Sequence, residues 1–283
     1  MVGTIRSVPI GFDFSQVKAI VRGHLPRRYL MRRVRRHQQS VRERAGIPDL
    51  ARSFVADHGA VVRGGPFAGL EYPPARIDQI DAPVAKLLGA YESELHDALN
   101  DALRAEPSTF VDIGAADGYY AAGFALRSPR TTVHAFEVDG WARSRLHELA
   151  VLNGVAGRVV VSGACTAGAM RSFEATDAFV LSDCEGAEVE IFTEDVARRL
   201  APSIVVIELH DQQLGYDVLS VLQPRFADTH TTTEITNGAR DTARFPELAS
   251  LPERQRQIAL DEFRGGAMRW AVFKPRAAVS GST

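Results

Sequence analysis

Phe110-Val111-Asp112-Ile113-Gly114-Ala115-Ala116-Asp117-Gly118 is the stretch on which the reading of this chain turns. An apolar run ends in Asp112 and turns at Gly114, and Gly118 opens a helical pattern four residues later. A strand that stops at glycine and hands over to a helix N-terminus leaves backbone N–H groups free to meet a ligand. Asp112, Gly114, Ala115 and Gly118 are therefore the first candidate binding residues, with Gly114 expected to let a ligand approach the backbone. The spacing is Asp-x-Gly-x-x-x-Gly. It lacks the middle glycine of the dinucleotide fingerprint, which disfavours a dehydrogenase.

Outward from this turn, strands and helices alternate. Strands are expected at 109–114, 132–137, 158–162, 178–182, 203–209, 229–235 and 268–273, with helices at 118–126, 141–153, 187–200 and 216–223. The early strands are short, apolar and β-branched, as parallel strands covered on both faces are. Residues 237–267 form a polar insertion with one helical piece, 252–263, and no short crossover joins the last two strands. The expected fold is α/β and Rossmann-like: a doubly wound, mostly parallel seven-stranded sheet with an antiparallel last strand, preceded by a helical N-terminal extension. The domain division that follows is 1–105 for the extension and 106–276 for the sheet domain.

Within the extension, Pro26 is placed to start a helix that runs to about Ala45 and stops at Gly46. Residues 59–74 are rich in glycine and proline. A single helix is expected from 82 to 103, capped by Asp81, because Leu88, Tyr91, Leu95, Ala98 and Ala102 recur at helical steps. Nine arginines lie between Arg22 and Arg44 against one acid, Glu43. They read as the solvated side of a docked helix or, in the sharper version, as an anion-attracting surface over Arg27–Arg44. The net charge of −2 over 283 residues predicts neither nucleic-acid nor membrane binding for the whole chain. Two cysteines are too few for a disulfide scaffold and point to a reducing cytoplasm. No apolar run approaches the roughly 18 residues a membrane span requires.

In an open parallel sheet the ligand sits beyond the C-terminal strand ends. The second strand ends at Glu137, about 20 residues past the glycine turn, where an acid suits ribose hydroxyls. The third ends at Gly163-Ala164-Cys165, so Ala164 is the residue available there. The fourth ends in Ser182-Asp183-Cys184-Glu185-Gly186-Ala187-Glu188, and the fifth in Glu208-Leu209-His210.

These last two stretches, 181–192 (LSDCEGAEVEIF) and 202–210 (PSIVVIELH), resemble the FkbM-type S-adenosylmethionine-dependent methyltransferases of the Rossmann-like class. Asp112-x-Gly114 and Phe136-Glu137 fit the same pattern, so the resemblance spans roughly 108–211. The segment 87–95 looks like a helix that precedes the domain in methyltransferases found with glycan-modifying enzymes. Ala116-Asp117 departs from the family, which often has Asn after Gly-Ala. The resemblance implies S-adenosylmethionine as cofactor, with Asp183 beside the reactive methyl, and O-methylation of a hydroxyl on a sugar, glycan or small metabolite.

A hydroxyl acceptor needs a proton acceptor. His210 is the first candidate, since imidazole titrates near neutrality, followed by Glu185 and Asp183. Asp183, Glu185, Glu208 and His210 also offer divalent-cation ligands, but no metal is expected. Two other readings are a nucleic-acid methyltransferase using the basic arm and a non-catalytic cofactor-binding module. The first lacks the Asn/Asp-Pro-Pro-aromatic signature of base amino-group methylation.

Overall fold

The computed structural model describes residues 39–173, 177–262 and 266–276. Seven strands, β1 (Thr109–Ile113), β2 (Thr132–Phe136), β3 (Val159–Ser162), β4 (Ala178–Ser182), β5 (Ile204–Glu208), β6 (His230–Thr236) and β7 (Arg269–Pro275), form one sheet in the order β3-β2-β1-β4-β5-β7-β6. β1 to β5 are parallel, and β7 inserts antiparallel between β5 and β6. The fold is the expected α/β Rossmann-like one, and its strand order reverses beside β1, where a binding crevice opens.

Side chains alternate across each strand. Phe110, Phe179, Val206 and Val272 feed one apolar layer, while Val111, Val180, Val205 and Phe273 feed the other. The first layer is covered by helices α1 (Ile47–His58), α2 (Pro83–Leu88), α3 (His96–Ala105), α4 (Tyr119–Arg127) and α5 (Gly140–Leu152), together with the insertion. The second is covered by α6 (Ala167–Arg171), α7 (Glu188–Ile191) and α8 (Glu194–Arg199), with α9 (Asp211–Leu214) and α10 (Val218–Phe226) at its far end. The insertion contributes α11 (Glu253–Leu260) to the first layer. The described part of the extension thus shares its core with the sheet domain: Phe54, Leu87 and Leu99 pack in the same cluster as Phe110 and Phe124.

Two expectations change. The helix expected over 82–103 is broken in two: α2 starts behind Ala82 rather than a capping Asp81, and ends at Gly89. Glu92 follows at φ 44°, a short 3₁₀ turn spans Ser93–Leu95, and α3 begins at His96. Gly89 is required at the break because a Cβ there would sit 2.1 Å from the Gly64 carbonyl oxygen. The helix expected over 187–200 likewise splits into α7 and α8, with Phe192 buried at the joint. Helix α1 carries no counterpart among the expectations.

Most of the helix expected over 26–45 lies outside the described residues. Its last part, 39–44, is helical, and Gly46 stops it at φ 77°. Arg42 is turned inward onto Asp81 at 2.7 Å, so this arginine is structural. Among the described residues, no helix is long and apolar enough to cross a membrane.

Candidate functional site

The glycine turn and the ends of β1, β4 and β5 enclose a cavity of about 40 Å³. Asp112, Gly114, Ala115 and Asp183 line it, as the sequence pattern anticipates, together with Glu208. Both glycines of the turn also have a packing reason. A Cβ on Gly114 would lie 1.7 Å from the carbonyl oxygen of Asp183, and one on Gly118 2.8 Å from Leu146. Gly114 is therefore needed for close approach of the β1 and β4 loops, and Gly118 for contact between α4 and α5. Both also hold positive φ.

Asp112 is 2% exposed, and its Oδ2 has no hydrogen-bond partner. Burial, with Glu137 and Asp183 nearby, pushes this carboxyl well above the usual carboxylate range. Glu137, at the end of β2, is also buried, and burial raises its pKa. Its two oxygens accept the N–H groups of Ala116 at 2.9 Å and Asp139 at 2.6 Å, which braces the glycine turn. A carboxylate oxygen has a second lone pair, so each can still accept another donor. Ala164 lies exposed beyond β3, away from the residues that line the cavity.

Beside the cavity, four acids gather around one ring, and two of them, Asp183 and Glu208, also line the cavity. His210 is 3% exposed. Its Nδ1 meets Glu188 Oε1 at 2.5 Å, and Nε2 faces Asp183 at 3.4 Å, Glu208 at 3.6 Å and Glu185 at 3.7 Å. Burial disfavours a charged imidazole, but Asp183 and Glu188 outweigh it and raise the pKa to about 12. At neutral pH the ring is an imidazolium, with no lone pair to accept a proton. The side chains of Asp183 and Glu185 reach solvent, at 43% and 71% exposure. Ligand atoms of Asp183, Glu185 and His210 lie within 4.8 Å of one another, a spacing compatible with a cation.

Sequence reasoning missed several participants. Glu188, fully buried, is the partner that fixes His210; its signal was its place at i+5 from Asp183 in a loop already singled out. Lys86, Tyr91 and Glu92 reach the cavity from the extension, and Tyr119, Tyr120 and Trp270 complete it. On the outer side an open cleft of about 360 Å³ lies in the insertion, lined by Asn237, Arg240, Thr242, Gln257 and Glu262 among others. Arg240 bridges Glu94 at 2.7 Å and Glu262 at 2.5 Å. Glu262 also accepts the Glu92 N–H at 2.9 Å, which ties the cleft to the cavity rim.

No family model and no curated protein matches this chain. Its structure is similar to that of a putative O-methyltransferase from Klebsiella pneumoniae, at 14% identity over 65% of this chain and 81% of that one, with a TM-score of 0.44. An S-adenosyl-L-homocysteine complex of a SAM-dependent methyltransferase from Geobacter sulfurreducens matches at 16% identity, over 65% and 91% of the two chains, TM-score 0.42. The O-methyltransferase TomG from Streptomyces achromogenes, in complex with SAM, matches at 14% identity over 62% and 77%, TM-score 0.41.

Proposed function

We propose that this chain is an S-adenosylmethionine-dependent methyltransferase, FkbM-like in its strand-end stretches, that methylates a hydroxyl of a sugar, glycan or other small metabolite. The observation that carries the reading is the acid-rich cavity at the topological switch point, with the unpartnered Asp112 Oδ2 and Tyr119 hydroxyl buried in its wall. Buried polar atoms without partners are rare unless something polar fills the space. The acids suit a ligand that carries positive charge, as a sulfonium with an amino-acid tail does.

Asp112, Gly114, Ala115 and Asp183 would hold the cofactor's tail and methyl-bearing end, Gly118 keeps the turn in place, and Glu137 would accept its ribose hydroxyls. Ala164, which is small and exposed, leaves room for the base. When bound, the cofactor supplies a methyl group on a sulfonium for in-line displacement by the acceptor oxygen.

The chain's own residues then have distinct tasks. The imidazolium of His210 faces Asp183, Glu185 and Glu208 and positions their side chains. Asp183, with Glu185 beside it, takes the acceptor's hydroxyl proton as the new bond forms, so the proton-accepting role passes from His210 to a carboxylate. The insertion cleft offers the acceptor hydrogen-bond donors from Asn237, Arg240 and Gln257.

Calorimetric titration with S-adenosylhomocysteine tests the reading. Micromolar binding is expected, weakened about tenfold in Glu137→Ala. A folded wild-type protein that binds no S-adenosylhomocysteine sinks the enzyme assignment.

A further inference from the structure

The insertion cleft holds one cation, and that cation is already matched. Arg240 is the only cation among the described residues that line it. Its Nη1 donates to Glu94 Oε1 at 2.7 Å and to Ser93 Oγ at 2.9 Å, and its Nη2 donates to Glu262 Oε1 at 2.5 Å. Glu94 comes from the extension and Glu262 from the insertion, and their side chains are 12% and 6% exposed. Burial works against a charge on Glu94, but Arg240 and the Gly238 N–H outweigh it and lower its pKa. Burial raises Glu262 to about 7, so a little above neutral pH it too is an anion. Asp261 lines the cleft beside them.

The same acids also take backbone donors that an anionic ligand would need. The Gly238 N–H goes to Glu94 Oε1 at 2.8 Å, and the Glu92 N–H to Glu262 Oε1 at 2.9 Å. What remains is hydrogen bonding without net positive charge. A guanidinium has five N–H donors, and three of Arg240's are engaged, so two are left. Asn237 accepts the Met268 N–H through Oδ1 at 2.9 Å, which leaves its amide N–H groups for a ligand. Glu94 Oε2 is buried without a partner and can accept. A hydroxyl both gives and takes such bonds. A phosphate or carboxylate only takes them, and here it would stand beside carboxylates with its one possible counter-ion committed.

We infer that the insertion cleft selects its acceptor by charge: it takes an uncharged polyhydroxyl group and turns away phosphorylated or carboxylated ones, with Glu94 and Glu262 as the specificity-determining residues. The inference rests on the acceptor reading of this cleft given above and deepens it. The cleft, about 360 Å³, is within the size range of small-molecule sites. It also borders the chemistry on two sides. Glu262 is tied through the Glu92 N–H to the cavity rim. A Cβ on Gly266, in the cleft wall, would lie 3.4 Å from Gln212 Nε2, two residues past His210. Repulsion of the wrong partner is as effective a source of specificity as attraction of the right one.

Glucose and glucose 6-phosphate share a ring and differ by the charged group, so they are the probes. Each is titrated at pH 8 into the full chain with S-adenosylhomocysteine present, and binding is followed by ligand-observed NMR. Wild type should bind glucose at least about tenfold more tightly than glucose 6-phosphate. The Glu94→Gln/Glu262→Gln double variant keeps the shape of both side chains and uncovers the Arg240 charge. It should gain about tenfold or more for glucose 6-phosphate, with glucose changed by less than about threefold. Equal wild-type affinities, or a double variant that gains nothing for the phosphate, overturn the inference. Wild type that binds neither sugar also overturns it, while binding of S-adenosylhomocysteine in the same sample upholds the cofactor reading and its absence sinks that reading separately. Should the double variant not fold, Glu262→Gln alone releases one of the two carboxylates. It should shift the ratio toward the phosphate by about threefold, and an unchanged ratio overturns the inference.

Discussion

Two acid-rich clusters sit side by side at the C-terminal edge of this sheet, and each contains one buried cation. Around His210, four carboxylates converge on a ring whose Nδ1 is closed off by Glu188 at 2.5 Å. Around Lys86, a single carboxylate oxygen is engaged while neighbouring polar atoms of Asp112, Asp117 and Tyr119 stay unpartnered. The first cluster surrounds its cation with carboxylates; the second sets its cation between one carboxylate oxygen and the faces of two tyrosine rings. The two buried cations, Lys86 and His210, thus sit in different surroundings: aromatic faces and one carboxylate for the first, carboxylates alone for the second.

The comparison breaks most decisively at the proton acceptor. Asp183→Asn keeps the shape of the first cluster but removes a carboxylate that reaches solvent, and kcat should fall about 10²- to 10⁴-fold with S-adenosylhomocysteine affinity lowered much less. A variant with near-normal kcat would remove Asp183 from the chemistry.

Next in size is stability. Glu188→Ala leaves the His210 cation without its closest partner at a fully buried position, so a loss of about 3–5 kcal/mol is expected in urea unfolding. Lys86→Met should cost less, about 1–2 kcal/mol, because the Asp117 carboxylate it abandons keeps some contact with water. Equal losses would erase the distinction between the two cations.

A pH series sharpens it further. The folded pKa of His210 is raised to about 12, above the ordinary value of about 6.5. The stabilisation from its charge is complete below about pH 6.5 and is lost as pH climbs toward 12. The urea midpoint of wild type should accordingly drift down from about pH 7 to pH 10, and His210→Gln should flatten that drift. A wild-type midpoint that rises over this range contradicts the imidazolium assignment.

Much of this was legible in the order of residues. The glycine turn at 112–118, Glu137, and the paired stretches at 183–188 and 208–210 are each contiguous, so strand periodicity and turn chemistry suffice to place them at one edge of a parallel sheet. All seven strands were anticipated to within two residues at either end. The reasons for individual residues were less legible. Gly114 invites the reading of a ligand's approach, yet what approaches it is the Asp183 carbonyl oxygen, contributed from 69 positions further along the chain. His210 looks like a base from its type, and becomes a cation only because Glu188 and Asp183 arrive beside it.

The sequence by itself determined the alternation of strands and helices, the parallel core, the crevice position and the acids that face it, because hydrophobic period and glycine placement act over a few neighbouring residues. Only the tertiary structure decided which charges are paired. It broke the helix expected over 82–103 at Gly89, where the Gly64 carbonyl leaves no room for a side chain, and it brought Lys86 against Asp117. Protonation and partnership depend on burial and on groups distant in sequence, and those distances exist only once the layers have packed.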